Sequence, residues 1–262
     1  MSNISIEYFS NCLKRTVQFK MVVPGDFDSS WNVEQKRKDK PMKTLVLLHG
    51  YTGAAFNWVP DEFPNLYNMA IVIPNGENGF WIDGISTGHQ YGKFLGEELI
   101  EYLRKVFHLA MKPEDTFVMG FSMGGYGALH TALAYPEVYS KAIGLSSAIL
   151  THGIAHMKPG TDNGVANYEY YRECFGDLEQ IESSRNNLEV LVDEILKSGK
   201  KMPGIWMACG TEDFLLEPNR QFHRFLDEKK VNHTYYESKG IHDMVFWSEY
   251  ARKCIPQLFE DC

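Results

Sequence analysis

The sequence predicts an α/β protein built on a mostly parallel sheet with helices on both faces, and three observations predict it. Short apolar runs recur at 44–48 (TLVLL), 70–73 (AIVI), 116–119 (TFVM), 142–145 (AIGL) and 205–208 (IWMA). Continuous apolar runs of this length suit strands buried on both faces. Amphipathic stretches lie between them: Tyr91, Leu95, Leu99, Tyr102 and Val106 share one helical face, and 219–230 repeats the pattern with Phe222, Phe225 and Leu226. Strand and helix therefore alternate, as a doubly wound sheet requires.

Each element follows from its local chemistry. The first forty residues differ from the rest, and 4–9 and 15–23 read as an antiparallel pair on the edge of the sheet. The run 44–48 is the first buried strand and leads into His49-Gly50-Tyr51-Thr52-Gly53. The run 70–73 is the next, and 91–106 is the helix after it. The run 116–119 passes through Gly120-Phe121-Ser122-Met123-Gly124 into a helical stretch, 126–135, that Pro136 ends. Between 150 and 200 the rhythm breaks, with Gly-rich turns, a cluster of Tyr168, Tyr170 and Tyr171, and a helix near 188–197. Long excursions of this kind are lids, binding loops or packed surface insertions, and the sequence leaves that choice open. A last strand, 233–237, is followed by a loop holding His242 and a terminal helix carrying Val245, Phe246 and Trp247. The whole chain, 1–262, reads as one domain with a lid-like or cap-like insertion at about 150–200.

Composition excludes several classes of function. The 262 residues are 44% hydrophobic, 23% charged and 13% aromatic. That is ordinary globular usage, which rules out a disordered, collagen-like or coiled-coil chain. The formal net charge is −8, and the richest basic stretch, Lys36-Arg37-Lys38-Asp39-Lys40, reads as a solvated loop. An acidic chain without a basic stripe does not bind nucleic acid well, because phosphate contacts supply most of that affinity. No apolar run approaches the ~20 residues of a spanning helix, so no membrane partner is expected. The first residues also lack the layout of a secretion signal. Cys12, Cys174, Cys209, Cys254 and Cys262 are odd in number and form no Cys-x-x-Cys pair. They read as free thiols in a reducing, cytoplasmic setting. The nearby pair Cys254 and Cys262 admits a redox-sensing role on spacing alone. The aromatic content leaves room for a patch through which copies could form a homo-oligomer.

The sharpest chemical signal is Gly120-Phe121-Ser122-Met123-Gly124, with a strand before it and a helix after it. A nucleophile elbow needs that context: small residues let neighbouring backbone approach while a strained turn lifts the Ser122 hydroxyl to a helix N-terminus. A serine hydroxyl is a weak nucleophile and needs a base within hydrogen-bond reach. Folds built on such an elbow run nucleophile, acid, then histidine along the chain. His49, His89 and His108 precede the serine, while His130 and His223 sit inside helices. His233 opens the last strand. His242, in the loop after that strand, is the expected base. Asp213, at the end of the 205–208 strand region, is the expected orienting acid, with Glu212 as its immediate rival; Asp243 is too near the histidine in sequence to orient its ring. An acyl-transfer oxyanion also needs preorganised donors. The backbone N–H of Met123 is one candidate, and that of Tyr51, after Gly50, is the other. Trp81, Phe56 and Trp58, in loops expected near the carboxyl edge of the sheet, are candidates to stack a substrate ring or are buried anchors. His152 and His156 are spaced like metal ligands without the rest of a zincin pattern, and no nucleotide-binding loop is present.

Taken together, Leu48-His-Gly-Tyr-Thr-Gly53, Pro74-Asn-Gly76 with Gly79-Phe-Trp81, Gly120-Phe-Ser-Met-Gly-Gly-Tyr-Gly127, Gly210-Thr-Glu-Asp213 and Gly240-Ile-His242 resemble the esterase D family of α/β-hydrolases. The tributyrin esterase branch, with the feruloyl and acetyl esterases and the S-formylglutathione hydrolases, is the part of that family it looks most like. The resemblance runs from about residue 4 to the C-terminus. It implies an α/β-hydrolase fold, a Ser122–Asp213–His242 triad and an oxyanion hole from the Tyr51 and Met123 amides. It further implies hydrolysis of short acyl or aryl esters, including esters on carbohydrates, with no metal and no cofactor. Within the enzyme class the rivals are an S-formylglutathione-type thioesterase and an acyltransferase. From another class comes a non-catalytic binding module on the same fold.

Overall fold

The computed structural model describes residues 1–25 and 40–260, so most of the basic stretch at 36–40 and Cys262 lie outside the described residues. The chain opens with a hairpin, β1 (Ser2–Ser10) and β2 (Arg15–Val23), paired antiparallel. Then follow β3 (Lys43–Leu48), α1 (Phe63–Tyr67), β4 (Met69–Pro74) and a helical stretch that begins as α2 (Tyr91–Lys93). That stretch widens into a π-helical turn (Phe94–Glu98) and ends as α3 (Leu99–Phe107), so the single helix expected over 91–106 carries a bulge. Next come β5 (Thr116–Phe121), α4 (Met123–Ala134) and β6 (Lys141–Leu145). The stretch after β6 is helical and turn-rich, with α5 (Thr151–Ile154), α6 (Tyr168–Phe175) and α7 (Leu188–Ser198). The chain closes with β7 (Gly204–Gly210), α8 (Leu216–Glu228), β8 (His233–Ser238) and α9 (Met244–Cys254).

The eight strands form one sheet in the order β1-β2-β4-β3-β5-β6-β7-β8. From β4 to β8 every neighbouring pair is parallel, and β2 joins β4 antiparallel. The inner strands β3, β4 and β5 are buried at every position. Their side chains alternate between two cores, as the two-residue period of a strand demands. Val46, Leu48, Val72 and Val118 face the core under α3, α4, α7 and α8, while Leu45, Leu47, Ile71, Phe117 and Met119 face the core under α1 and α9. Helix α4 crosses the middle of the sheet and buries all but its last residue. A helix apolar all round belongs in such a place.

Because β3 and β5 to β8 all point the same way, their carboxyl ends and the loops after them share one edge. Crevices for ligands open outside that edge in parallel sheets. The 150–200 segment packs across it: Tyr171, Phe175, Leu188, Leu191, Val192 and Ile195 are buried in the larger core, and Tyr126 Oη donates to Asn186 O at 2.7 Å. Among the described residues no helix is long and apolar enough to cross a membrane. Cys12, Cys174, Cys209 and Cys254 are free. Cys254 is fully buried, and burial pushes its thiol up to about 12, so it offers no reactive surface thiol.

Candidate active site

β5 delivers Ser122 into a turn that few residues tolerate. Its φ of 54° and ψ of −121° place a side-chain-bearing residue in the left-handed half of backbone space. The flanking glycines make that possible by close approach. A Cβ on Gly120 would strike the carbonyl of Gly124, and one on Gly124 would meet Leu48 O and, at 2.6 Å, His49 O. The turn is tied down by Ser122 N–H donating to Leu145 O at 2.9 Å and by Ala148 N–H donating to Ser122 O at 2.9 Å. α4 starts immediately after the serine, so the Met123 amide belongs to a first helical turn whose N–H groups have no acceptor within the helix.

His242 arrives from the loop after β8. Its Nε2 lies 3.0 Å from Ser122 Oγ and accepts the hydroxyl proton; its Nδ1–H donates to Asp213, 2.9 Å from Oδ2 and 3.1 Å from Oδ1. Asp243, next along, is occupied elsewhere: it caps α9 by accepting from Phe246 N–H at 3.0 Å. Glu212, the sequence rival of Asp213, is exposed, and its backbone N–H donates to Gly240 O at 2.9 Å. The Asp213 side chain is fully buried. Burial would raise its carboxyl, but hydrogen bonds from His242, from Leu215 N–H and from Ser146 outweigh it and hold the group below the usual carboxylate range. Ser146 has a φ of 43°, and its Oγ also accepts from Trp247 Nε1 at 3.0 Å. The sequence carried no sign of this residue, since serine after a strand is an ordinary turn signal.

The second wall is the loop after β3. Gly50 abuts the elbow, for a Cβ there would lie 2.7 Å from the Phe121 ring and 3.4 Å from Ser122 Cβ. His49 pins this loop: Gly76 N–H donates to its Nε2 at 3.0 Å and its Nδ1–H donates to Gly50 O at 2.8 Å. Burial lowers the proton affinity of His49, so it serves as a neutral bracket. Thr52 N–H donates to Asn78 Oδ1 at 2.8 Å, and Asn78 O accepts from Tyr170 Oη. The loop, the 76–79 turn and the 150–200 segment are thereby joined at one point.

These pieces enclose a cavity of about 410 Å³ lined by Ser122, His242, Tyr51 and Met123, with Asp213 bonded to His242 just outside the lining. The remaining lining is mostly apolar. Phe80, Ala148 and Leu150 contribute to it, Asn163, Val165, Tyr170 and Tyr171 come from the 150–200 segment, and Phe214, Leu215 and Pro218 come from the stretch that follows Asp213. Phe214 stands against His242 with ring centroids 4.6 Å apart.

The three aromatics expected to stack a substrate ring stand outside that lining. Trp81 is fully buried, its indole N–H donating to His49 O at 3.1 Å and its Cβ only 2.6 Å from the position a Gly127 Cβ would occupy. Trp58 and Phe56 pack edge-on against Phe121, with centroids 5.2 and 6.3 Å away, beneath the elbow. Trp81 and Trp58 are buried anchors of the loops, whereas Phe56 is 40% exposed. His152 and His156 do not form a metal pair; His152 bonds Glu182 at 2.6 Å and Glu189 at 3.3 Å.

Comparison with known proteins places the chain among ester hydrolases. The model of the Esterase family matches residues 10–250. An acetyl esterase of Caldicellulosiruptor saccharolyticus is 37% identical over 254 residues, 95% of each protein. Two solved structures from Staphylococcus aureus share the fold over 98% of each chain at 24% identity. They are the fluorophosphonate-binding serine hydrolase FphF, with a TM-score of 0.81, and the S-formylglutathione hydrolase FrmB, with a TM-score of 0.80.

Proposed function

The chain belongs to the Esterase family and is a serine carboxylic ester hydrolase; from that premise we propose that it cleaves small, uncharged acyl or aryl esters through Ser122, His242 and Asp213. The observation that carries this reading is the single imidazole bridging a strained serine at 3.0 Å and a buried carboxylate at 2.9 Å. Ser122 Oγ attacks the ester carbonyl as His242 Nε2 takes its proton. The carbonyl oxygen gathers charge against the Tyr51 and Met123 amides, and removing one such donor typically costs ~10²–10³ in turnover. His242 then protonates the departing alcohol. Water, activated by the same imidazole, hydrolyses the acyl-enzyme. Asp213 holds the ring in the tautomer that leaves Nε2 free and stabilises the imidazolium.

The cavity lining supports esters over glutathione thioesters. Among the described residues that line it there is no lysine or arginine to pair with the carboxylates of a glutathione conjugate, and Phe80, Val165, Tyr170 and Phe214 favour an acetyl, butyryl or feruloyl-type group. The relative described as an acetyl esterase points the same way. Cavity size also admits an ester borne on a sugar.

The test is adduct mapping with a fluorophosphonate, beside kinetics on an ester panel. One adduct on Ser122 that is lost in His242→Ala, and turnover abolished in a folded Ser122→Ala protein, are the expected results. Turnover that survives in Ser122→Ala would place the nucleophile elsewhere. A labelled serine with no hydrolysis of any ester, thioester or acceptor pair would favour the binding-module reading.

A further inference from the structure

Three ligand-type side chains meet at the opposite end of the sheet from Ser122. β8 is parallel to its neighbour, so its first residue, His233, lies at the amino edge, where α8 passes back over it. His223 and Asp227 lie one turn apart on α8 and face the same way. His223 Nδ1 is 2.7 Å from His233 Nε2. Asp227 oxygens lie 3.5 Å from His223 Nε2 and 3.9 Å from His233 Nε2. One ligand atom from each residue falls within 4.8 Å of the other two.

Proton accounting shows what this cluster lacks. His233 Nδ1 is 2.8 Å from Val231 O, which can only accept, so in the neutral tautomer this contact selects, Nδ1 carries the proton and Nε2 is turned toward His223 and Asp227. If neutral His223 carries its proton on Nδ1 to serve that lone pair, its own Nε2 lone pair faces the Asp227 carboxylate. If it carries the proton on Nε2, two lone pairs confront each other across 2.7 Å. A bound cation would take one lone pair from each of the three residues.

We propose that His223, Asp227 and His233 form a binding site for a zinc-type divalent transition-metal cation, distinct from the hydrolytic centre. Two imidazoles and one carboxylate are a zinc-type donor set, and nitrogen ligands in a tetrahedral zinc site lie about 3.3 Å apart. The ligand atoms stand near that spacing, with His223 Nδ1 2.7 Å and Asp227 Oδ1 3.9 Å from His233 Nε2. The hydrogen bond from His233 Nδ1–H to Val231 O is the kind of support that fixes the tautomer of a ligating histidine. The His233 side chain is 3% exposed and that of Asp227 is 63% exposed, so the site is anchored on its inner side and open to water on its outer side. The ion would staple α8 to the edge strand β8. It takes no part in ester cleavage.

The experiment is isothermal titration of the full, tag-free chain with zinc chloride, paired with the cobalt absorption spectrum and with the variants His223→Gln and Asp227→Asn, both at partly exposed positions. We expect one zinc per chain and a cobalt spectrum without the intense near-ultraviolet band of thiolate ligands. Affinity should fall at least about tenfold in each variant while circular dichroism is unchanged. No uptake by the wild-type chain at about 100 µM zinc would overturn the proposal. So would uptake undiminished in both variants, or a thiolate band, since either puts the ion elsewhere.

Discussion

The contribution of Trp81 shows how one residue supports a catalytic geometry without touching a substrate. Its indole N–H donates to His49 O, and His49 in turn brackets the loop that carries the Tyr51 amide. Trp81→Phe removes that donor and leaves a buried carbonyl unpaired. Small displacements of a preorganised donor cost rate rather than binding, so kcat should fall about tenfold to a hundredfold with KM for aryl esters unchanged. A raised KM for aryl esters alone, at unchanged kcat, would restore the substrate-stacking role. The sequence made the serine legible because every constraint on Ser122 is local: a strand, two glycines and a helix start within a few residues. It could not separate a buried anchor from a substrate platform at Trp81, because both are an aromatic in a loop. A sign was present in Gly76 and Gly127, which leave no room for a Cβ beside the indole, but only the fold brings them to it. Phe214 and Ser146 were illegible for the same reason, since each acquires its meaning from a partner far away in sequence.

At the scale of elements, the strands and the helix near 188–197, which is α7 (Leu188–Ser198), were legible, and the rest of the 150–200 segment was not. Buried apolar runs such as Leu45 to Leu48 mark a central strand wherever the chain goes next. The helices α5 and α6 instead depend on partners elsewhere in the chain, α6 on the 76–79 turn through Tyr170 and α5 on acidic residues of the later part of the segment. His152, on α5, is one such contact, held between Glu182 and Glu189 on the segment that walls the cavity. Burial lowers its proton affinity, but hydrogen bonds to Glu182 and then to Glu189 raise it more, and the net shift is upward. A group whose folded pKa exceeds its unfolded one stabilises the fold fully below the unfolded value, ~6.5 for histidine, and loses that contribution as pH rises through the folded value. His152→Gln should therefore lower the melting temperature at about pH 6 and leave it nearly unchanged at about pH 9. A loss of equal size at both pH values would show that the side chain acts through packing alone.

For the whole molecule, the question is whether the 150–200 segment is a lid that opens or a wall fixed to the rest. Its inward residues, Tyr171, Phe175, Leu188, Leu191, Val192 and Ile195, belong to the same core as Leu95, Leu129 and Phe222. Tyr126 on α4 reaches Asn186, His130 on α4 lies 3.1 Å from Arg185 O, and Ile85 N–H donates to Glu173 O at 3.0 Å. Detaching it would expose about 1.5–3 kcal/mol of buried apolar side chain for each large residue withdrawn. Six such residues come to about 9–18 kcal/mol, comparable to the ~5–15 kcal/mol total stability of a domain. The two cores are likewise joined, because each inner strand feeds both faces through alternate residues. The chain should then unfold as one cooperative unit, with far-ultraviolet circular dichroism, tryptophan fluorescence and residual ester hydrolysis falling along one denaturant curve. Hydrolysis lost at lower denaturant than the other two signals would mean that the segment opens first, and that the cavity wall is a lid.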